Sequence, residues 1–259
     1  MITSSQNPKV KLIRALAGRP KERRENGAFF AEGVRLVEEA FSSGWDFRFV
    51  LYADGLSQRG LELVKSLTAK GLDVEPVAEN LLQSVTETET PQGIIAVLAL
   101  DPPASLQVPA KLDFVLIPDQ IRDPGNLGTL LRTAAAAGVQ ATLIPPETTD
   151  PFAPKVVRAG MGAHFRLPIL PLAWNQLQAR VKGMPVYLSD AEGEKSCWEV
   201  DLTLPLALVI GGEADGASQQ ARELTTEMIR IPMPGHMESL NAGVAGSVLM
   251  FEVVRQRSR

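Results

Sequence analysis

The residues of this 259-residue chain whose types and spacing could do chemistry lie at three glycine-containing junctions. The first reads DQIRDPGNLGTLLRTAAAAGV. Asp123-Pro124-Gly125 makes a turn there, and Asn126 reads as the N-cap of a helix. Leu127, Leu130, Leu131, Ala134 and Ala135 recur as one buried stripe, and Gly138 ends the helix. Arg132 lies off that stripe. Its guanidinium is either free to reach the loops at a sheet edge or a solvated surface charge. The second junction, LPLALVIGGEADGAS, runs an apolar strand into Gly211, Gly212, Glu213 and Gly216, with a helix starting near Ser218. Gly211 and Gly216 have P-loop spacing, but Ala217-Ser218 stand where Lys-Ser/Thr is required, which disfavours a nucleotide triphosphatase. No G-x-G-x-x-G follows a strand, so a dinucleotide site has no support. The turn is as compatible with tight backbone geometry as with a ligand cradle.

The third junction, IRIPMPGHMESLNAGVAGSVLMFEVVRQR, ends a strand at Pro232 and turns through Pro234-Gly235. Ser239 or Asn241 caps a final helix running towards Arg257. From Ala242 to Val254 its only charge is Glu252. A helix apolar on all sides must be covered on all sides, by its own domain or by a partner as well.

These junctions need strands to position them. LDFVLIPD, ATLIPP, FRLPIL, PVYLSD, LPLALVIGG and MIRIPM read as strands with helix-like segments between several of them, which implies a mainly parallel sheet covered on both faces. Ligands sit at the carboxyl edges of such sheets. Before them, FFAEGVRLVEEAFSSG reads as a helix, FRFVLYA as a strand, GLELVKSLTAKG as a helix and GIIAVLAL as a buried strand. DPPASLQVPAK, with three prolines and no periodicity, is the linker, so the domains are expected over 1–105 and 106–259.

Composition narrows the function classes. With 45% hydrophobic and 22% charged residues, the chain is globular rather than disordered, collagen-like or coiled coil. A lone cysteine, Cys197, excludes an intramolecular disulfide, and with only His164 and His236 beside it a Cys/His zinc site is disfavoured. No metal is expected. The start has no signal-peptide core and no apolar run reaches a membrane span, so a cytoplasmic protein without a membrane partner is expected. The net charge of −4 hides an N-terminal patch: residues 1–26 carry seven cations against two anions. That stretch is either a phosphate-following surface or a solvated terminus. Aromatics make up 5%, too few for base stacking to be the chief binding mode.

In this order and spacing, the three junctions resemble the SpoU (TrmH-type) RNA 2′-O-ribose methyltransferases of the SPOUT class. DPGNLGTLLRTAAAAGV is similar to the first motif of that family, LVIGGEADG to the second and IPMPGHMESLNAGVAGSV to the third. FFAEGVRLVEEA and TPQGIIAV resemble the substrate-binding domain that often precedes the catalytic one. The resemblance implies an α/β protein whose C-terminal, mainly parallel sheet carries a deep trefoil knot, an exception to the unknotted rule. A smaller α/β domain precedes it. It implies S-adenosyl-L-methionine as methyl donor, held by backbone groups of Gly211, Ile231 and Leu240. Asn126, Arg132, Glu213, Ser239 and Asn241 match the family's polar positions, Arg132 its catalytic arginine. A homodimer through the C-terminal helix is implied as well. Ala214 and Gly243 depart from the common motif residues.

The reaction so implied is in-line attack of a ribose 2′-oxygen on a sulfonium methyl. The protein must align the reactants and help remove a weakly acidic proton. A guanidinium stays protonated in proteins, so Arg132 is either the family's base or a grip on phosphate and developing alkoxide. His164 and His236 are possible bases on chemistry alone. Ribosomal RNA is the first expectation for the substrate and tRNA the second. A catalytically silent RNA-binding scaffold is the alternative of another class, against which Arg132, Glu213 and Asn241 argue.

Overall fold

Residues 1–86, 92–213, 216–235 and 237–258 are described by the computed structural model. They divide into two compact units: Met1–Leu106 with Phe152–Arg158, and Gln107–Pro151 with Ala159–Arg259.

The first unit opens with α1 (Pro8–Ala17), started by the Asn7 side chain accepting the Lys9 amide at 2.9 Å with Pro8 in the first turn. Then follow α2 (Pro20–Asn26), β1 (Ala28–Glu32), α3 (Val34–Ser42), β2 (Phe47–Tyr52), α4 (Gln58–Ala69), β3 (Val74–Pro76), α5 (Glu79–Gln83) and β4 (Ile94–Ala99). The sheet order is β1-β4-β2-β3, antiparallel except between β2 and β3. The helix expected from Phe29 onward is corrected here. Phe29 to Glu32 belong to β1, and α3 starts only after Gly33, whose φ of +102° turns the chain. Ala28 to Ala31 are all buried. A strand covered on both faces loses its alternation and reads like the apolar run of a helix.

The structure also trims the basic N-terminal patch. Lys9 is held by Asp73 and Glu75 at 2.5 and 2.6 Å. Arg23 is buried, donating to the carbonyls of Leu16 at 2.5 Å and Gly18 at 3.0 Å. Lys11, Arg14, Arg19, Lys21 and Arg24 remain exposed. A short 3-10 turn over Ala104–Leu106 lies within the expected linker.

The second unit carries β5 (Phe114–Pro118), α6 (Pro124–Ala136), β6 (Ala141–Ile144), α7 (Pro154–Gly160), β7 (Ile169–Pro171), α8 (Trp174–Arg180), β8 (Val186–Ser189), β9 (Lys195–Ser196), β10 (Leu206–Ile210), α9 (Gln219–Leu224), β11 (Glu227–Arg230) and α10 (Ala242–Arg257). Residues 152–158, most of α7, cluster with the first unit instead. The sheet has seven strands in the order β7-β6-β5-β10-β8-β11-β9, and every pairing in it is parallel. The central strands β5 and β10 are buried throughout, as a parallel sheet covered on both sides requires. The strand expected to end at Pro232 stops at Arg230.

One core joins Val115, Ile117, Leu188 and Val209 with Leu177 of α8 and Ala221 of α9. Helices α6 and α10 pack together. Gly246 comes so close to Leu130 that a Cβ there would overlap it, and Ile210 follows at 3.2 Å. The Thr133 and Ser247 hydroxyls meet at 2.9 Å. Leu130, Leu131 and Leu249 are fully buried, each contributing about 2 kcal/mol of apolar transfer. The apolar stripe of α6 is as read, except that Ala135 is only half-buried while Gly128 is packed against Ala159 with no room for a side chain.

Candidate active site

The carboxyl edge of the parallel sheet gathers the three junctions. At the first, Asp123 caps α6: its Oδ1 accepts the Asn126 amide at 2.8 Å, with Pro124 in the first turn. The reading of Asn126 as the cap is therefore corrected. Asp-Pro fits the cap and first-turn positions, and this places Asn126 inside the first turn with its side chain free. That side chain is used elsewhere. Its Nδ2 donates to the Glu213 carboxylate, and its Oδ1 accepts from Asn241 Nδ2 at 2.8 Å. Asn241 in turn caps α10, accepting the Val244 amide at 3.1 Å. One primary amide thus ties all three junctions together. Of the two candidate caps for α10, Asn241 takes the role and Ser239 stays exposed.

A cavity of about 620 Å³ opens beside this chain of bonds. Gly211, Ile231 and Leu240, distant in sequence, all line it, as do Glu213, Ser239 and Asn241. Parallel strands end at one edge, so loops far apart in sequence converge there. Gly211 is glycine because of a close approach and not because of its backbone angles: a Cβ would stand 2.7 Å from the Ala217 nitrogen and 2.8 Å from the Gly216 carbonyl carbon. Gly216 supplies the positive φ of the turn, +68°. The Gly212 amide donates to the Gly216 carbonyl at 3.0 Å.

The structure does not bring Arg132 into the cavity. It is exposed and, among the described residues, makes no hydrogen bond or salt bridge. His164 sits in a 3-10 turn (Ala163–Phe165), buried, with Nε2 2.7 Å from the Pro151 carbonyl oxygen. Burial pushes its pKa down to about 4, and it lines no part of this cavity. His236 and Ala214 lie outside the described residues.

Sequence reasoning missed several polar groups. Asp190, Glu192 and Arg222 line the cavity, and Arg222 Nη1 stands 3.2 Å from Asp190 Oδ2. Asp119 is fully buried at the end of β5, where its Oδ2 accepts the Ser218 amide at 2.6 Å. Burial pushes its pKa up, the Ser218 bond opposes this, and Glu147 adds to the rise. A charge closing an apolar strand, as Asp119 does after FVLIP, was the available signal. Among the described residues no group of three or more His, Cys, Asp or Glu could hold a metal ion, and no helix is long and apolar enough to cross a membrane.

Comparison with known proteins places these features in one family. The SpoU rRNA Methylase family model matches residues 113–251, and the MRM3-like substrate binding domain model matches residues 7–96. The chain is 34% identical to the 23S rRNA (guanosine(2553)-2′-O)-methyltransferase RlmP of Bacillus subtilis, over 97% of this chain and 98% of that one. The SpoU methyltransferase AviRb from Streptomyces viridochromogenes, solved with the cofactor AdoMet, superimposes with a TM-score of 0.86 at 30% identity, covering 98% of this chain and 99% of that one. An AdoMet-bound rRNA methyltransferase from Sinorhizobium meliloti gives 0.85 at 31% identity, covering 98% and 97%. With its three junctions gathered at one sheet edge and its length spanned by these relatives, the chain belongs to the SpoU rRNA methylase family.

Proposed function

We propose that this protein transfers a methyl group from S-adenosyl-L-methionine to a ribose 2′-hydroxyl of ribosomal RNA. The observation that carries the reading is the bonded chain Glu213–Asn126–Asn241 at the rim of a cavity lined by Gly211, Ile231 and Leu240. The cavity suits the donor. Its volume of about 620 Å³ is in the range of small-molecule sites. The carboxylates of Asp190, Glu192 and Glu213 line the cavity and complement a cationic ligand. When bound, the donor supplies a methyl group already activated by the sulfonium charge. Backbone groups of Gly211, Ile231 and Leu240 hold it, and Arg222 is placed among the same residues to meet a carboxylate.

The chain's own groups have two tasks on the acceptor side. Glu213, fixed in orientation by Asn126, accepts a hydrogen bond or the proton of the attacking hydroxyl. Arg132, exposed and unengaged among the described residues, grips the RNA phosphate and stabilises the developing alkoxide as a fixed charge. Ser239 and Asn241 complete the polar rim.

The first unit, taken as residues 1–105 of the expected division, serves as the RNA-binding domain. Lys11, Arg14, Arg19, Lys21 and Arg24 are its exposed cations near the N-terminus. The catalytic part, 106–259, carries the family's knot and pairs with a second copy through α10. That helix leaves Val244 and Phe251, seven residues apart on one side, 47% and 50% exposed. We place the enzyme in the cytoplasm with its RNA. Relatives that cover nearly the whole chain are named for 23S rRNA, which favours rRNA over tRNA.

The test is incubation of the purified protein with methyl-labelled donor and protein-free rRNA or tRNA. Label is expected in rRNA, in dinucleotides that resist alkali because the 2′-oxygen is blocked. Label in alkali-sensitive mononucleotides, in tRNA alone or in neither RNA overturns the proposal.

A further inference from the structure

We infer that Asp119, together with the backbone of Gln120, is a positioning element that holds the glycine turn of the donor cavity in its binding shape. This inference rests on the donor cavity proposed above. The two consecutive residues meet the turn at three points. The Asp119 amide donates to the Ile210 carbonyl at 2.9 Å, where the turn leaves β10. The Gln120 carbonyl lies against Gly212 so closely that a Cβ on Gly212 would overlap it. Asp119 Oδ2 accepts the Ser218 amide at 2.6 Å, where the turn enters α9. Between these points Gly211, Gly212, Gly216 and Ala217 line the cavity, while Asp119 does not.

Two features show that the arrangement is not ordinary packing. Gln120 is held at φ +53°, a left-handed conformation that residues with a Cβ seldom adopt. Asp119 is a fully buried carboxylate whose Oδ1 has no hydrogen-bond partner among the described residues. An apolar side chain at the end of β5 would be buried at lower cost. The carboxylate supplies a charge-assisted bond to a backbone N–H, shorter and stronger than a neutral one. That bond fixes the far stem of the turn relative to the near stem, so the lining backbone is ordered before the donor arrives. Pre-ordering of this kind strengthens binding without touching the chemical step.

The experiment compares the full-length protein with Asp119→Asn and Asp119→Ala. Affinity for S-adenosyl-L-methionine is measured by calorimetry, and KM and kcat by methyl transfer to rRNA. Asp119→Ala should weaken donor binding and raise its KM at least about tenfold, the scale of one lost hydrogen bond, with kcat at saturating donor within about twofold of wild type. Asp119→Asn keeps an acceptor and should recover most of the affinity. Equal donor affinity in the alanine variant, or a loss confined to kcat, overturns the inference and leaves the methyltransferase reading intact. If the unmutated protein binds no donor, both fall. Should the alanine variant not fold, exchange of the Ser218 amide in the unmutated, donor-free protein decides. Protection is expected, and exchange at the rate of an exposed loop amide overturns the inference.

Discussion

The Asn241 amide donates to Asn126 Oδ1 at 2.8 Å although 115 positions separate the two residues. The other end of the Asn126 side chain holds Glu213. The first turn of α6, the glycine turn and the cap of α10 therefore share one amide, and loss of that amide releases the Glu213 carboxylate and the Asn241 side chain from it. Asn126→Ala should lower kcat by roughly 10²-fold, the usual scale for a group that orders charge at a reacting centre. Donor affinity should change by less than about threefold, because backbone groups hold the donor. Calorimetry and single-turnover methyl transfer check the two halves. A variant that transfers methyl at the wild-type rate excludes Asn126 from the acceptor side.

Arg132 separates charge from basicity. Arg132→Ala should fall by roughly 10²–10³-fold in rate with donor affinity retained. Arg132→Lys keeps a cation but loses the planar fork, and its amine deprotonates more readily. A residual rate that does not vary with pH is expected, since a fixed charge is the role proposed. A rate that climbs as the lysine loses its proton would instead make this position a base.

The exposed stripe on α10 predicts assembly. The protein should be a dimer at micromolar concentration, and Val244→Lys with Phe251→Glu should give a monomer. Loss of two apolar anchors at an interface typically costs roughly 2 kcal/mol or more, about a thirtyfold rise in Kd. Light scattering reads the result directly. An unmutated protein that is monomeric and fully active removes this role from the helix.

His164 predicts an acid-sensitive fold. Its pKa falls from 6.5 in the unfolded chain to about 4 in the folded one, because the buried ring is held neutral. Between those values the unfolded state binds more protons, so stability rises with pH across the window and is lost as pH falls below about 6.5. The full effect is on the order of 3 kcal/mol. His164→Gln, which still offers an N–H to the Pro151 carbonyl, should flatten the melting temperature between pH 4 and 6.5. The raised Asp119 pKa acts with the opposite sign, from 3.8 upward, and is common to both proteins. An unchanged slope in the variant would assign the acid sensitivity to another group.

The N-terminal cations predict salt-dependent RNA binding. Reversing Lys11, Arg14, Arg19 and Arg24 should weaken rRNA affinity and reduce the slope of log K against log salt by about 3, close to one phosphate contact per residue. Donor affinity should not change. Point variants are preferable to cutting the chain after residue 100. Phe152 packs on Phe29 with ring centroids 5.0 Å apart, and Arg158 lies 3.6 Å from Glu32. Truncation strips both of their partners. A salt slope unchanged in the reversed variant would move the RNA grip elsewhere.

Much of the site was legible in the chain alone. Apolar strands ending in glycine, proline and asparagine turns mark sheet edges by local chemistry, and the order of the three junctions carried the family resemblance. Gly211, Ile231 and Leu240 could be assigned to one edge because parallel strands all finish on the same side. Local pattern also found α10, whose Leu249, Met250 and Val253 are buried while Val244 and Phe251 stay about half exposed.

What local pattern lacks is the identity of distant partners. Nothing in DQIRDPGN distinguishes an Asn126 that caps its own helix from one that reaches residues 87 and 115 positions away, because both uses need the same amide. Lys9 and Arg23 read as surface charge until folding brings Asp73, Glu75 and the Leu16 carbonyl against them. β1 read as helix because a strand buried on both faces has no period of its own. Asp119 is the clearest case. Its neighbours in sequence are apolar or ordinary, and only the parallel register of β5 with β10 brings its carboxylate beneath Ser218, 99 positions away. Sequence sets which groups are available at each turn, and long-range strand pairing decides which of them meet.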